Sequence, residues 1–166
     1  AVSRGLGDVY KRQTGDGAST PETLYEINIA TAAMTLIIPL GNGNDGESIA
    51  FNPDDGLLYH WSGWGTANVI METINPATFT ISPVTLSGDP LANVGASTYA
   101  GNGQFLISDV NSNGLKYIST SGVVSATSNT TGAYKGLAFP GGNASVTNTT
   151  AANDSICVGD TAVLVC

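Results

Sequence analysis

The chain's single histidine, His60, lies in the run Tyr59-His60-Trp61-Ser62-Gly63-Trp64. Rings at Tyr59, His60, Trp61 and Trp64 could stack on a sugar or an aromatic ligand, because aromatic faces offer large contact area at low entropic cost. A Ser-His-Asp triad would have to take His60 as its base, but no Gly-x-Ser-x-Gly elbow stands anywhere in the chain. The competing reading is packing, with Tyr59 and Trp61 in a core and His60 a hydrogen-bonded neighbour. A second candidate is Asp109-Val110-Asn111-Ser112-Asn113-Gly114, which matches the first half of a calcium loop. It offers oxygen ligands at Asp109, Asn111 and Asn113 and a turn at Gly114. The twelfth position is Thr120 rather than the bidentate Glu such a loop requires, so a turn-rich hairpin connection competes with calcium.

Other chemistries find less material. Asp54, Asp55, Asp89 and Asp109 could supply paired carboxylates for glycoside chemistry, but no spacing selects a pair. The Gly-rich run at 41–46 lacks the Lys and the following helix of a phosphate loop. Cys157 and Cys166 have no nearby His, which excludes a zinc reading and leaves a structural one. No cofactor is implied beyond calcium. The net charge of −8, with five basic residues, argues against nucleic acid, whose phosphates need Lys and Arg. The longest apolar run, 29–40, is shorter than the ~20 residues of a membrane span and is broken by Thr.

The elements that must position these side chains are strands. Of the 166 residues, 42% are hydrophobic and only 11% charged, with 21 Gly and abundant Thr, Ser and Asn. Such a chain has few helix formers for solvent faces but many β-branched residues between turn formers, so an all-β fold is predicted. Internal repeats refine this. Ile27-Asn28-Ile29-Ala30-Thr31 recurs as Ile74-Asn75-Pro76-Ala77-Thr78, with a weaker echo at 118–122. Each follows a short alternating segment and precedes a Thr/Val-rich one. Small-residue segments at 46–51, 94–100 and 134–139 open the units, and the runs at 56–61 and 103–109 are apolar enough to be covered on both faces. A four-strand unit with a period in the forties is the pattern of a propeller blade. Two complete blades are predicted, roughly 46–86 and 94–128, with half-blades on either side. Ser48, Ala50, Ser97, Gly136 and Ala138 suit inner strands, where blades crowd together.

The stretch Ala50-Phe51-Asn52-Pro53…Gly56…Leu58-Tyr59, followed by Ile74-Asn75-Pro76-Ala77-Thr78, resembles blades of secreted bacterial propellers of the NHL/YVTN-like kind. There Phe79 stands where those blades carry Gly. The resemblance spans about 22–140 and implies a partial β-propeller over 14–140. Residues 141–155 lose all alternation and read as a linker. Residues 156–166 resemble the opening strands of an Ig-like module, which implies that Cys166 is a strand-B cysteine with its partner elsewhere. Residues 3–13 resemble a translated sequencing-library adapter, so 1–13 are expected to be disordered and outside the fold. Without Arg4, Lys11, Arg12 and Asp8, two basic and twelve acidic residues remain, a net of −10.

These expectations converge on a fragment of a secreted or cell-surface multidomain protein. Its propeller would be a non-catalytic scaffold whose loops meet extracellular protein or glycan. The alternatives are an extracellular propeller lyase or hydrolase, and a calcium-stabilised adhesin module.

Overall fold

The computed structural model describes residues 10–12, 23–28, 30–40, 46–62, 69–111, 114–129, 134 and 136–137. All regular structure among them is β. Strands β1 (Tyr10–Arg12), β2 (Thr23–Ile27) and β3 (Met34–Pro39) form a first antiparallel sheet. The second is the antiparallel meander β4 (Gly46–Asn52), β5 (Leu57–Ser62), β6 (Ile70–Ile74) and β7 (Ile81–Val84). A short β8 (Ser87–Gly88) follows. The third sheet is the meander β9 (Val94–Gly101), β10 (Gln104–Asp109), β11 (Gly114–Ser119) and β12 (Val123–Asn129), with β8 added parallel to β12. The two predicted four-strand units are therefore present.

The order of the sheets follows from β5, whose residues are apolar or aromatic at every position but His60 and Ser62. Leu58 packs with Leu24, Leu40 and Ile74 between the first and second sheets, joined by Ile49, Phe51 and Ile81. Tyr59 and Trp61 point the other way, into a larger core with Phe105, Ile107 and Ile118 of the third sheet. A strand with period two that is apolar at successive positions needs cover on both faces. Sheet therefore stacks on sheet on sheet, as blades do, with two separate interiors. The innermost strands touch through small side chains: Ser48 Oγ of β4 and Ser97 Oγ of β9 are 2.6 Å apart. Larger residues there would hold the sheets apart.

The sequence repeat is also a repeat of turn geometry. Asn28 Oδ1 accepts hydrogen bonds from the N–H groups of Ala30 and Thr31 (3.0 and 3.1 Å). Asn75 Oδ1 does the same for Ala77 and Thr78 (2.9 and 3.3 Å). Each loop closes through a residue in the left-handed region, Ala32 (φ 55°) and Phe79 (φ 56°). The third hairpin is one residue shorter and turns at Gly122 (φ 85°), with Ser119 Oγ accepting from Val123 N at 3.0 Å.

Two expectations differ from the structure. The strand predicted over 134–139 is not formed at its described residues: Tyr134, Gly136 and Leu137 lie outside any strand. A strand needs a neighbouring backbone to pair with, and the Tyr134 N–H is given instead to Ser108 Oγ (3.2 Å). Tyr10–Arg12, expected outside the fold, pair with β2 as its edge. Edge pairing uses backbone groups that every residue carries, so it is indifferent to the origin of the segment. The linker, Cys157, Cys166 and the Ig-like segment lie outside the described residues.

Gly122 is needed for more than its φ. A Cβ there would stand 2.3 Å from the Thr85 carbonyl oxygen, on the segment that leads into β8. Gly122→Ala should therefore cost about 3 kcal/mol, strain and overpacking together. Ala32→Gly should raise stability by about 0.5–1 kcal/mol, because relief of left-handed strain exceeds the added chain entropy. Urea unfolding of the two variants checks both signs.

Candidate functional site

Alternation on β5 separates the aromatic run into two environments. Tyr59 and Trp61 are buried facing the third sheet, where Phe105 sits between them and Tyr99. Ring centroids of Phe105 lie 4.6 Å from Tyr59, 5.1 Å from Trp61 and 5.2 Å from Tyr99, tilted or edge-on. Each such pair adds ~0.5–1.5 kcal/mol beyond the area it buries, so this cluster is the main cement between the second and third sheets. His60 points to the opposite face. Trp64 lies outside the described residues. The structure thus joins Tyr59 with Trp61 and parts both from His60.

His60 Nδ1 lies 3.0 Å from Glu72 Oε1, directly across the β5–β6 ladder, and both side chains have 0% exposure. They share the face of Leu58 and Ile74, under the first sheet. Sequence reasoning missed Glu72 as a partner. The available signal was its place in Ile70-Met71-Glu72-Thr73-Ile74, where the alternation puts a carboxylate on the same face as two isoleucines.

The carboxylates of the β4–β5 turn are held by hydroxyls. Asp55 accepts from Tyr59 Oη (2.8 Å), Asn52 Nδ2 (2.7 Å) and Leu57 N (2.9 Å). Asp54 accepts from Tyr99 Oη on the next sheet, and that hydroxyl in turn accepts from Gly103 N at 2.8 Å. One turn therefore ties the second sheet to the third at this end. Burial, then the hydrogen bond and charge of Asp55, push the Tyr59 hydroxyl well above the usual tyrosine range. Burial and the hydrogen bond to Asp54 raise that of Tyr99.

Asp109 closes the other end. Its carboxylate accepts from the N–H groups of Ala92 and Asn93 (3.2 and 3.1 Å) and lies 3.2 Å from Lys116 Nζ. Lys116 also donates to the Pro90 carbonyl. Asp109 is buried and Asn111 exposed; Asn113 lies outside the described residues. Of the expected calcium ligands, Asp109 is already neutralised by an ammonium and two backbone donors, an arrangement that pins the β8–β9 connection to β10. Among the described residues no group of three or more His, Cys, Asp or Glu side chains could hold a metal ion. Beside this connection a cleft of about 340 Å³ opens between the second and third sheets, walled by Val69, Leu86, Leu91 and Val124, with Asp89 as its charged group. No helix among the described residues is long and apolar enough to cross a membrane.

No family model matches the chain, and no curated protein matches it. Its fold is similar to that of a gluconolactonase from Xanthomonas campestris, with a TM-score of 0.51 and 13% sequence identity. The match covers 75% of this chain and 40% of that one. At that identity the likeness is one of fold: the chain is all-β and propeller-like, and it spans less than half the length of that neighbour.

Two outcomes test these pairings. Removing one partner of the buried pair with Glu72→Ala should cost about 3–5 kcal/mol. Glu72→Gln keeps a hydrogen-bonding oxygen and should lose clearly less, as read by chemical denaturation. The tyrosine shifts set a pH window. Both pKa values are raised on folding, so their contribution is fully present below the unfolded value of ~10 and is lost as pH rises through the folded values. Stability should hold to about pH 10 and fall above it. A Tyr59→Phe/Tyr99→Phe double variant should be weaker at neutral pH but show a flatter alkaline slope.

Proposed function

We propose that the chain is a non-catalytic, propeller-like scaffold of a secreted or cell-surface multidomain protein, presenting its loops to extracellular protein or glycan. The observation that carries this reading is where the chemistry-bearing groups go. His60 is fully buried against Glu72, Asp109 is bound to Lys116, and Asp54 and Asp55 hold tyrosine hydroxyls. Each is used to join strands or sheets. A low charge density and Thr/Asn/Gly-rich surface segments accord with an extracellular setting.

The gluconolactonase likeness supports a second reading, a hydrolase acting on a lactone-like ester, with its reacting groups on further blades of a longer protein. One pair of measurements separates the two. Full chain is incubated with glucono-δ-lactone in a pH-stat, and the same sample is applied to an extracellular glycan array. The expected result is lactone opening at the buffer rate and saturable binding to a glycan class. Lactone turnover that disappears on heat denaturation would replace the scaffold with the hydrolase.

A further inference from the structure

Strands β9 and β10 are joined by Asn102 and Gly103, which lie between the paired residues Gly101 and Gln104. Both have positive φ, 52° and 68°, which makes the connection a type I′ turn. Asn102 is exposed at its tip. An asparagine followed by glycine reacts with its own chain. The glycine amide nitrogen, with no side chain beside it to obstruct approach, loses its proton and bonds to the asparagine Cγ. The Cγ–Nδ2 bond breaks and ammonia leaves, closing a succinimide ring. Water then opens the ring at either carbonyl and yields aspartate or isoaspartate, so one water enters for each ammonia released. Among the described residues Asn102 is the one asparagine that precedes a glycine. Asn52 and Asn75 precede prolines, whose nitrogen carries no proton.

The fold restrains this reaction in two ways. In a type I′ turn the first central residue has a small positive ψ. That angle turns the Gly103 nitrogen nearly trans to the Asn102 Cβ about the Cα–C bond, where the ring cannot close. Rotating the nitrogen into reach means breaking the bond that Gly103 N donates to Tyr99 Oη (2.8 Å). Tyr99 is itself held on two sides. Its hydroxyl donates to Asp54, and its ring packs edge-on against Phe105 with centroids 5.2 Å apart. We propose that Asn102 is a site of spontaneous deamidation to aspartate and isoaspartate, and that Tyr99 is the positioning residue that governs its rate by holding the Gly103 N–H. Either product sets a carboxylate beside the glycine whose N–H shares the Tyr99 hydroxyl with Asp54. Isoaspartate also adds a backbone carbon to a two-residue loop. The modification therefore loosens the tie between the second and third sheets. The inference rests on this turn and is independent of the scaffold reading above.

The test holds the full chain folded in mildly alkaline buffer and samples it over days by peptic mapping with mass spectrometry. The isoaspartyl form of the peptide spanning 99–105 is resolved chromatographically. Asn102 should convert more slowly in the folded wild type than in the same chain unfolded in guanidinium chloride. Tyr99→Phe should convert about 5-fold faster than wild type, the local opening that one net hydrogen bond restrains. Amide hydrogen exchange at Gly103, read by NMR, should accelerate by the same factor. Glu72→Gln weakens the other interior and should leave the Asn102 rate unchanged, which separates loss of the tyrosine bond from loss of overall stability. If Tyr99→Phe shows no melting transition, Asp54→Ala takes its place, because it frees the same hydroxyl and keeps the ring packing; faster conversion is expected there too. Folded wild type converting as fast as the unfolded chain overturns the proposal. So does Tyr99→Phe converting no faster than wild type, or Glu72→Gln converting as fast as Tyr99→Phe.

Discussion

The structure depends on a strand that cannot leave either face in water. β5 presents Leu58 to one side and Tyr59 and Trp61 to the other, all buried. Burying an aromatic side chain of this size removes ~150–250 Å² of surface, or roughly 4–6 kcal/mol at 25 cal/mol/Å². An exposed ion pair is worth at most ~1 kcal/mol. The placement of the sheets is therefore decided by β5 and its neighbours, and the polar groups are fitted afterwards. A two-layer sandwich would cover only one of the two faces. Three layers with two interiors satisfy both.

Polar and ionisable groups then act as pins between layers. At one end the Asp54–Tyr99–Gly103 chain crosses from the second sheet to the third. At the other, Asp109 and Lys116 hold the connection that runs from one sheet to the next. His60 Nδ1 and Glu72 Oε1 meet across the β5–β6 ladder in the other interior. A buried pair of this kind adds little net stability but is costly to break, so it selects one register of β5 against β6 over its slipped alternatives.

Among the described residues, Asp54, Asp55, His60, Glu72, Asp109 and Lys116 thus spend their polar atoms on joining strands and sheets.

Much of the fold was legible in the residues. Period-two alternation, Asn-led turns and the 47-residue spacing of Gly56 and Gly103 specify strands, hairpins and a four-strand unit, because these are local properties. The nearly continuous apolar run at 56–61 even announces cover on both sides. What only the tertiary structure decided is which distant groups meet. Glu72 beneath His60, Lys116 beside Asp109 and Tyr99 over Asp54 depend on register across a ladder or on contact between sheets. Tyr59 and Trp61 read equally well as a ligand platform or as a core. Their assignment to the core came from Phe105, some forty-five residues on, because burial is a property of what packs against a side chain and not of the side chain itself.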